Sequence, residues 1–123
     1  MPKAVVLLLE DEALIALDLQ AELESVGYIV AGPFETCTDA LGWLAGNKPD
    51  CAVLDMVLKD GPSRDVALSL AERGVPLLVY SGHRQNVDAL PECVTATWVE
   101  KPAPSHILLN TLAGLRSRIS AAA

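Results

Sequence analysis

Three short runs of the chain, "AVVLLL" from Ala4, "CAVLD" from Cys51 and "PLLVY" from Pro76, are apolar at almost every position. A strand with one wet face alternates apolar and polar residues. A strand that is apolar throughout needs cover on both faces. That requirement points to a parallel sheet lying between layers of helices. "YIVAG" from Tyr28 and "TATWVE" from Thr95 are weaker runs, as expected for edge strands.

Helical patterns fill the intervals. From Glu12, the residues Ile15, Leu19, Leu23 and Val26 recur at helical spacing, and Gly27 stands where a helix would end. Thr38 to Ala45 carries Leu41 and Leu44, with Gly46 after them. Pro62 opens a third segment and Gly74 closes it. A fourth segment, Gly82 to Leu90, is polar and short and is cut off by Pro91. Leu108, Leu112, Leu115 and Ile119 mark the last helix, with Pro104 near its start, and "SRISAAA" reads as a fraying tail. The pattern is β-α five times over, with right-handed crossovers placing helices on both faces.

At 123 residues the chain fits one domain, spanning 1–123, with no room for an output domain after the fifth helix. A net charge of −7 argues against direct nucleic-acid binding, which depends on neutralising phosphates with Lys and Arg. The five-residue apolar run in "MPKAVVLLLEDE" is followed at once by acids, unlike a secretion signal. No segment approaches the roughly 20 apolar residues that insert across a membrane. Cys37, Cys51 and Cys93 lack CxxC spacing and read as idle thiols in a reducing, cytoplasmic setting. His83 and His106 have no metal-ligand spacing with them or with each other.

In such sheets ligands collect at the carboxyl ends of the strands. Strand 1 ends in Glu10 and Asp11, strand 3 in Asp55, strand 4 in Ser81 and strand 5 in Lys101. Three carboxylates, a hydroxyl and an ammonium therefore converge on one rim. Two like charges ~4 Å apart repel by about 4 kcal/mol at an effective dielectric of 20, so the acids need a counter-charge. A hard divalent cation such as Mg2+ supplies it and tolerates few carboxylates plus waters and phosphate oxygens. Asp55 is then a candidate nucleophile, with Lys101 and Ser81 placed for phosphoryl oxygens. Taken alone, Glu10 and Asp11 also read as solvated acids favouring a helix N-terminus. Glu12 reads as an exposed helix residue, and Asp60 with Gly61 as a turn without chemistry.

"LLLEDE", "AVLDMVL", "VYSGH" and "VEKP", in that order on those strand ends, resemble a response-regulator receiver domain over nearly the whole chain. Asp11 and Asp55 lie 44 residues apart, close to the family spacing. "EDEALIALDLQAELESVGYIVAGP" is further similar to stand-alone receivers found beside sensor kinases in alphaproteobacteria. The resemblance implies a flavodoxin-like α/β fold: a five-stranded parallel sheet of order 2-1-3-4-5 with five helices. It implies Mg2+ held by Glu10, Asp11, Asp55 and the backbone carbonyl of Val57. Asp55 would take a phosphoryl group from a phosphohistidine on a sensor histidine kinase or phosphotransfer protein. The response would fall on the face of the fourth helix, fifth strand and fifth helix, read by a downstream protein target. A homodimer stays open. Such a protein is a phosphoacceptor regulator, not an enzyme beyond its own phosphoryl transfer and hydrolysis.

Two positions depart from the family pattern. Glu10 stands where Asp is usual, one methylene longer. Trp98 stands where Tyr or Phe usually moves inward as the strand-4 hydroxyl swings toward phosphate. The switch pair here would be Ser81 and Trp98, and the bulkier ring does not carry that rotation over directly. His83 would line the site entrance. The alternative reading is a receiver-fold binding module that acts by protein contact without phosphorylation. A flavin carrier is disfavoured because "EDEAL" would repel phosphate. An aspartyl phosphatase is disfavoured because strand 1 lacks Asp-x-Asp.

Overall fold

Hydrogen bonding gathers the apolar runs into one parallel sheet. The structure, a computed structural model, describes residues 3–82 and 96–122, with side chains described as far as Arg116. Its strands are β1 (Val5–Leu9), β2 (Ile29–Phe34), β3 (Cys51–Leu54), β6 (Leu77–Ser81) and β7 (Thr97–Glu100). Their order is β2-β1-β3-β6-β7, which is 2-1-3-4-5 when sheet strands alone are counted. Every pairing between them is parallel. Four helices are described: α1 (Ala13–Ser25), α2 (Cys37–Leu44), α3 (Arg64–Glu72) and α4 (Ser105–Ala122). The fourth helical segment expected from the sequence, along with His83 and Cys93, lies outside the described residues from position 83 onward.

The period of two along each strand explains the continuous apolar runs. Leu7, Leu9, Ala52, Leu54 and Val79 face one core with Ala40 and Leu44 of α2 and Val66, Ala67 and Leu70 of α3. Val6, Leu8, Cys51, Val53, Leu78 and Tyr80 face the other core with Leu19 and Leu23 of α1 and Leu108 and Leu112 of α4. Both faces are covered, so no strand position in the middle can be polar. Burial pushes the Cys51 thiol up to about 12 and the Cys37 thiol to about 11, so neither ionises near neutrality.

Local departures have physical causes. Val26 caps the end of α1 and is exposed, so the buried stripe is Ala16, Leu19 and Leu23, with Ile15 half-buried beside it. Pro62 does not open α3. It sits in a two-residue strand β5 (Gly61–Pro62) paired antiparallel with β4 (Val57–Leu58), and α3 begins after Ser63. α4 runs to Ala122, through the tail expected to fray. At Gly32 the chain has a positive φ of 108°, and a Cβ there would lie 2.6 Å from the Leu8 carbonyl oxygen. The pairing with β1 slips at this point, between Leu7 and Leu9. As a result the Glu10 N–H donates to Phe34 O at 3.0 Å, which extends the sheet's reach to the rim.

Asp60 occupies the expected turn, but it also has distant partners. Its carboxylate accepts from the N–H groups of Cys37 (2.8 Å) and Thr38 (3.1 Å) and from the Thr38 hydroxyl (3.0 Å). Thr36 accepts from the Asp39 N–H, so three otherwise orphaned donors at the start of α2 are satisfied. At its other end, the Arg73 guanidinium donates to Leu44 O at 2.7 Å and Asn47 O at 3.1 Å. An anion at the N-terminus and a cation at the C-terminus both match the helix dipole.

The Cys37 and Thr38 N–H groups pull the Asp60 carboxyl down to about 2 from its ordinary 3.8. Its stabilising effect is therefore complete above about pH 4 and is lost as pH falls through about 2. Between about pH 5 and about pH 2, the urea midpoint of the wild type should fall further than that of Asp60→Asn. Parallel curves for the two proteins would remove Asp60 from the acid response.

Candidate functional site

The rim residues sit at strand ends, where the backbone leaves the sheet. Glu10 follows β1 and Asp55 follows β3. The Asp55 N–H donates to Leu9 O at 3.0 Å, so the two acid-bearing ends stay paired to the last residue. Lys101 follows β7, and its N–H donates to Ser81 O at 2.9 Å. Ser81 closes β6 and is buried. Thus four of the expected site residues are fixed by main-chain hydrogen bonds before their side chains are considered.

The side chains then meet around one ammonium. Lys101 Nζ lies 2.6 Å from Glu10 Oε1 and 2.9 Å from Asp55 Oδ2. Glu10 is 2% exposed, and its Oε2 accepts the Glu12 N–H at 3.2 Å. Glu12, expected as an exposed helix residue, is exposed, yet its carboxylate approaches Lys101 at 3.8 Å. Asp11 is half-buried beside them. Glu10, Asp11 and Asp55 each offer an oxygen within 4.8 Å of the others.

The electrostatics follow from burial and charge. Burial raises the Glu10 pKa above the ordinary carboxylate value, against the lowering pull of Lys101 and of the Glu12 N–H. Burial alone would lower Lys101, but its bonds to Glu10 and Asp55 outweigh that and hold it above the ordinary lysine value. One ammonium cannot balance three ionised carboxylates. A donor set made only of carboxylate oxygens suits a hard cation and offers nothing to a soft one. The residues present therefore fit a hard divalent cation, which Glu10, Asp11 and Asp55 could hold.

Tyr80 is a site residue that sequence reading passed over as core. Its ring lies under Lys101 Nζ, 5.5 Å from the centroid, and its hydroxyl accepts the Ala103 N–H at 3.2 Å. The turn that aims Lys101 is thereby tied to the strand carrying Ser81. A tyrosine one residue before the strand-end hydroxyl was the available signal. Trp98 is half-buried and packs on the core that includes α2 and α3. The cavity bounded by Ser81, Trp98, Val99 and Glu100 is only about 10 Å³. That volume takes about one water. Val57, the other expected metal ligand, lies in β4 two residues past Asp55, with its side chain exposed.

No protein-family model matches the sequence, and no curated protein matches it. Solved structures do. A response regulator receiver protein from Sinorhizobium medicae WSM419 is 25% identical, with a TM-score of 0.83 over 95% of this chain and 97% of that one. A response regulator receiver domain protein (CheY-like) from Methanospirillum hungatei JF-1 is 17% identical, with a TM-score of 0.88 over 99% and 100%. The signal receiver domain of a modulated diguanylate cyclase from Desulfovibrio desulfuricans G20 is 24% identical, with a TM-score of 0.85 over 99% and 100%. The chain has the response-regulator receiver fold. Among the described residues, no helix of this receiver fold is long and apolar enough to cross a membrane.

Removing Lys101 would leave the buried Glu10 carboxylate without its cation. Lys101→Met should therefore cost about 3–5 kcal/mol in urea unfolding with chelator present. Adding Glu10→Gln to that variant should restore most of the loss. Additive losses in the double variant would show that the two groups are not energetically coupled.

Proposed function

We propose that this protein is a phosphorylation-switched signalling domain in which Asp55 accepts a phosphoryl group from a histidine-borne donor. The observation that carries this reading is the meeting of Glu10, Asp11, Asp55 and Lys101 at one rim. An Asp55 carboxylate oxygen attacks phosphorus, a P–O bond forms, the P–N bond breaks, and the departing imidazole keeps the bonding pair. Mg2+, when bound, supplies positive charge that offsets the acids and the incoming phosphoryl oxygens. Glu10, Asp11, Asp55 and the Val57 carbonyl would hold it. Lys101 pairs with one phosphoryl oxygen, and the Ser81 hydroxyl donates to another.

The phosphoryl group adds roughly −1.5 to −2 charges at Asp55. Lys101 answers that change, and its backbone is bonded to Ser81, so the face expected to report it is β7 and α4 together with the fourth helical segment read from the sequence, which lies outside the described residues. A few kcal/mol of differential interaction is enough to change which of two states dominates. Downstream partners would read this face.

The donor needs a surface beside the site. Leu14 and Leu17, one helical step apart on α1, are 79% and 60% exposed, and Ile107 at the start of α4 is 43% exposed. Large apolar side chains on helices that flank a reactive carboxylate suit a helical donor that must bring a phosphohistidine within bonding distance.

Asp55→Asn should abolish labelling by acetyl phosphate and Mg2+, and Mg2+-dependent uptake of beryllofluoride with it. Undiminished labelling would reject Asp55 as acceptor, and a wild type that takes neither reagent would favour a phosphate-independent binding module. Leu14→Lys with Leu17→Lys should slow transfer from the cognate kinase at least tenfold while leaving acetyl phosphate labelling within twofold. Equal slowing with both donors would remove α1 as the docking face.

A further inference from the structure

The loop after Asp55 is tied down along its length. The Met56 carbonyl accepts from both the N–H (2.8 Å) and the hydroxyl (3.1 Å) of the buried Ser63. Val57 and Leu58 pair with Pro62 and Gly61. At the tip, the Lys59 N–H donates to Glu35 O at 3.1 Å, and its ammonium meets Glu35 Oε2 at 2.7 Å. Asp60 then makes its three bonds to the first turn of α2, which is held in the core by Ala40 and Leu44. Loop tips are ordinarily among the first segments to open. Here the tip is fastened to a helix.

We propose that Asp60 is a positioning residue for the phosphoacceptor site: by fixing the tip of this loop to α2, it holds the Val57 backbone and Asp55 in the arrangement that binds the divalent ion. The exposed Lys59–Glu35 pair cannot do this alone, because water competes for both partners. The Asp60 bonds are better suited. Two of its three donors are backbone N–H groups already fixed by the helix, so little further ordering is needed. Asp60 is not among the carboxylates that gather at the rim. It acts through five residues of loop, Met56 to Asp60.

This inference rests on the reading of the site as a Mg2+-dependent phosphoacceptor, and its test separates the two. Mg2+ affinity is measured by calorimetry, and labelling by acetyl phosphate, in wild type, Asp60→Ala, Asp60→Asn and Thr36→Ala. Thr36→Ala removes another cap of the same helix without touching the loop, so it reports the cost of a weakened α2 alone. Asp60→Ala should weaken Mg2+ binding at least tenfold and slow labelling in step. Asp60→Asn, which keeps an accepting oxygen, should fall between Asp60→Ala and wild type. Thr36→Ala should stay within twofold of wild type on both readouts while lowering Tm. If Asp60→Ala does not fold, the graded comparison of Asp60→Asn with Thr36→Ala decides. Mg2+ binding within twofold of wild type in Asp60→Asn and in any folded Asp60→Ala, or an equal loss in Thr36→Ala, overturns the positioning role. A wild type that neither binds Mg2+ nor accepts phosphate overturns the functional reading, and this inference with it.

Discussion

A single ammonium held between two carboxylates organises the rim of this protein. Glu10 and Asp55 leave adjacent strands, so the sheet itself forces their negative charges together. Lys101 arrives from the far edge and bonds both, at 2.6 and 2.9 Å. Its reach depends on the turn after β7, which Tyr80 holds through Ala103. The edge of the sheet is thereby wired to its centre. Any change of charge at Asp55 alters the force on Lys101, and so on the strand and helix that carry it. Under the proposed function, a switch at β7 and α4 would follow from sharing one cation among several anions.

The glutamate at position 10 gives this arrangement its particular character. One carboxylate oxygen reaches Lys101, and the other accepts the N–H of Glu12 just before α1. Reading Glu10 as an acid near a helix start is therefore correct as far as it goes. Solvation is the part that fails, because Glu10 is buried. An acid removed from water needs a partner charge far more than an exposed one does. Lys101 serves as that partner in the protein alone, and under the proposed function a divalent ion shares the duty.

The strands were legible because cover on both faces leaves a compositional mark that no other short element carries. The gathering of Glu10, Asp11, Asp55 and Lys101 at one rim was legible for a related reason: each is a charged residue at or just past the end of a strand run, a local signal. What escaped was non-local. Pro62 looks like a helix opener until its pairing with Val57 is seen. Asp60 reads as a turn residue because its partners Cys37 and Thr38 lie 23 and 22 positions earlier. Tyr80 reads as core because nothing in the chain predicts a hydroxyl contact with Ala103. Val26 has the right spacing for the stripe of α1, but the helix ends before it and the side chain turns to solvent.

The distribution of these fastenings constrains where a signal can travel. On the α2 side, the loop after Asp55 is bonded at Met56, Lys59 and Asp60, and α2 itself is gripped at both ends by Asp60 and Arg73. Under the proposed function, strain arising at a phosphorylated Asp55 would meet resistance there. On the side of β6 and β7, a backbone hydrogen bond joins Lys101 to Ser81, and the Lys101 ammonium meets Glu10 and Asp55. Next to Trp98, the cavity bounded by Ser81, Val99 and Glu100 measures about 10 Å³. Under the proposed function, the response passes through the β6–β7 backbone that carries Ser81, Trp98 and Lys101. Lys101 joins that response to α4, because its ammonium meets Asp55 and its backbone leads to Ser105, the first residue of the helix, four positions along the chain.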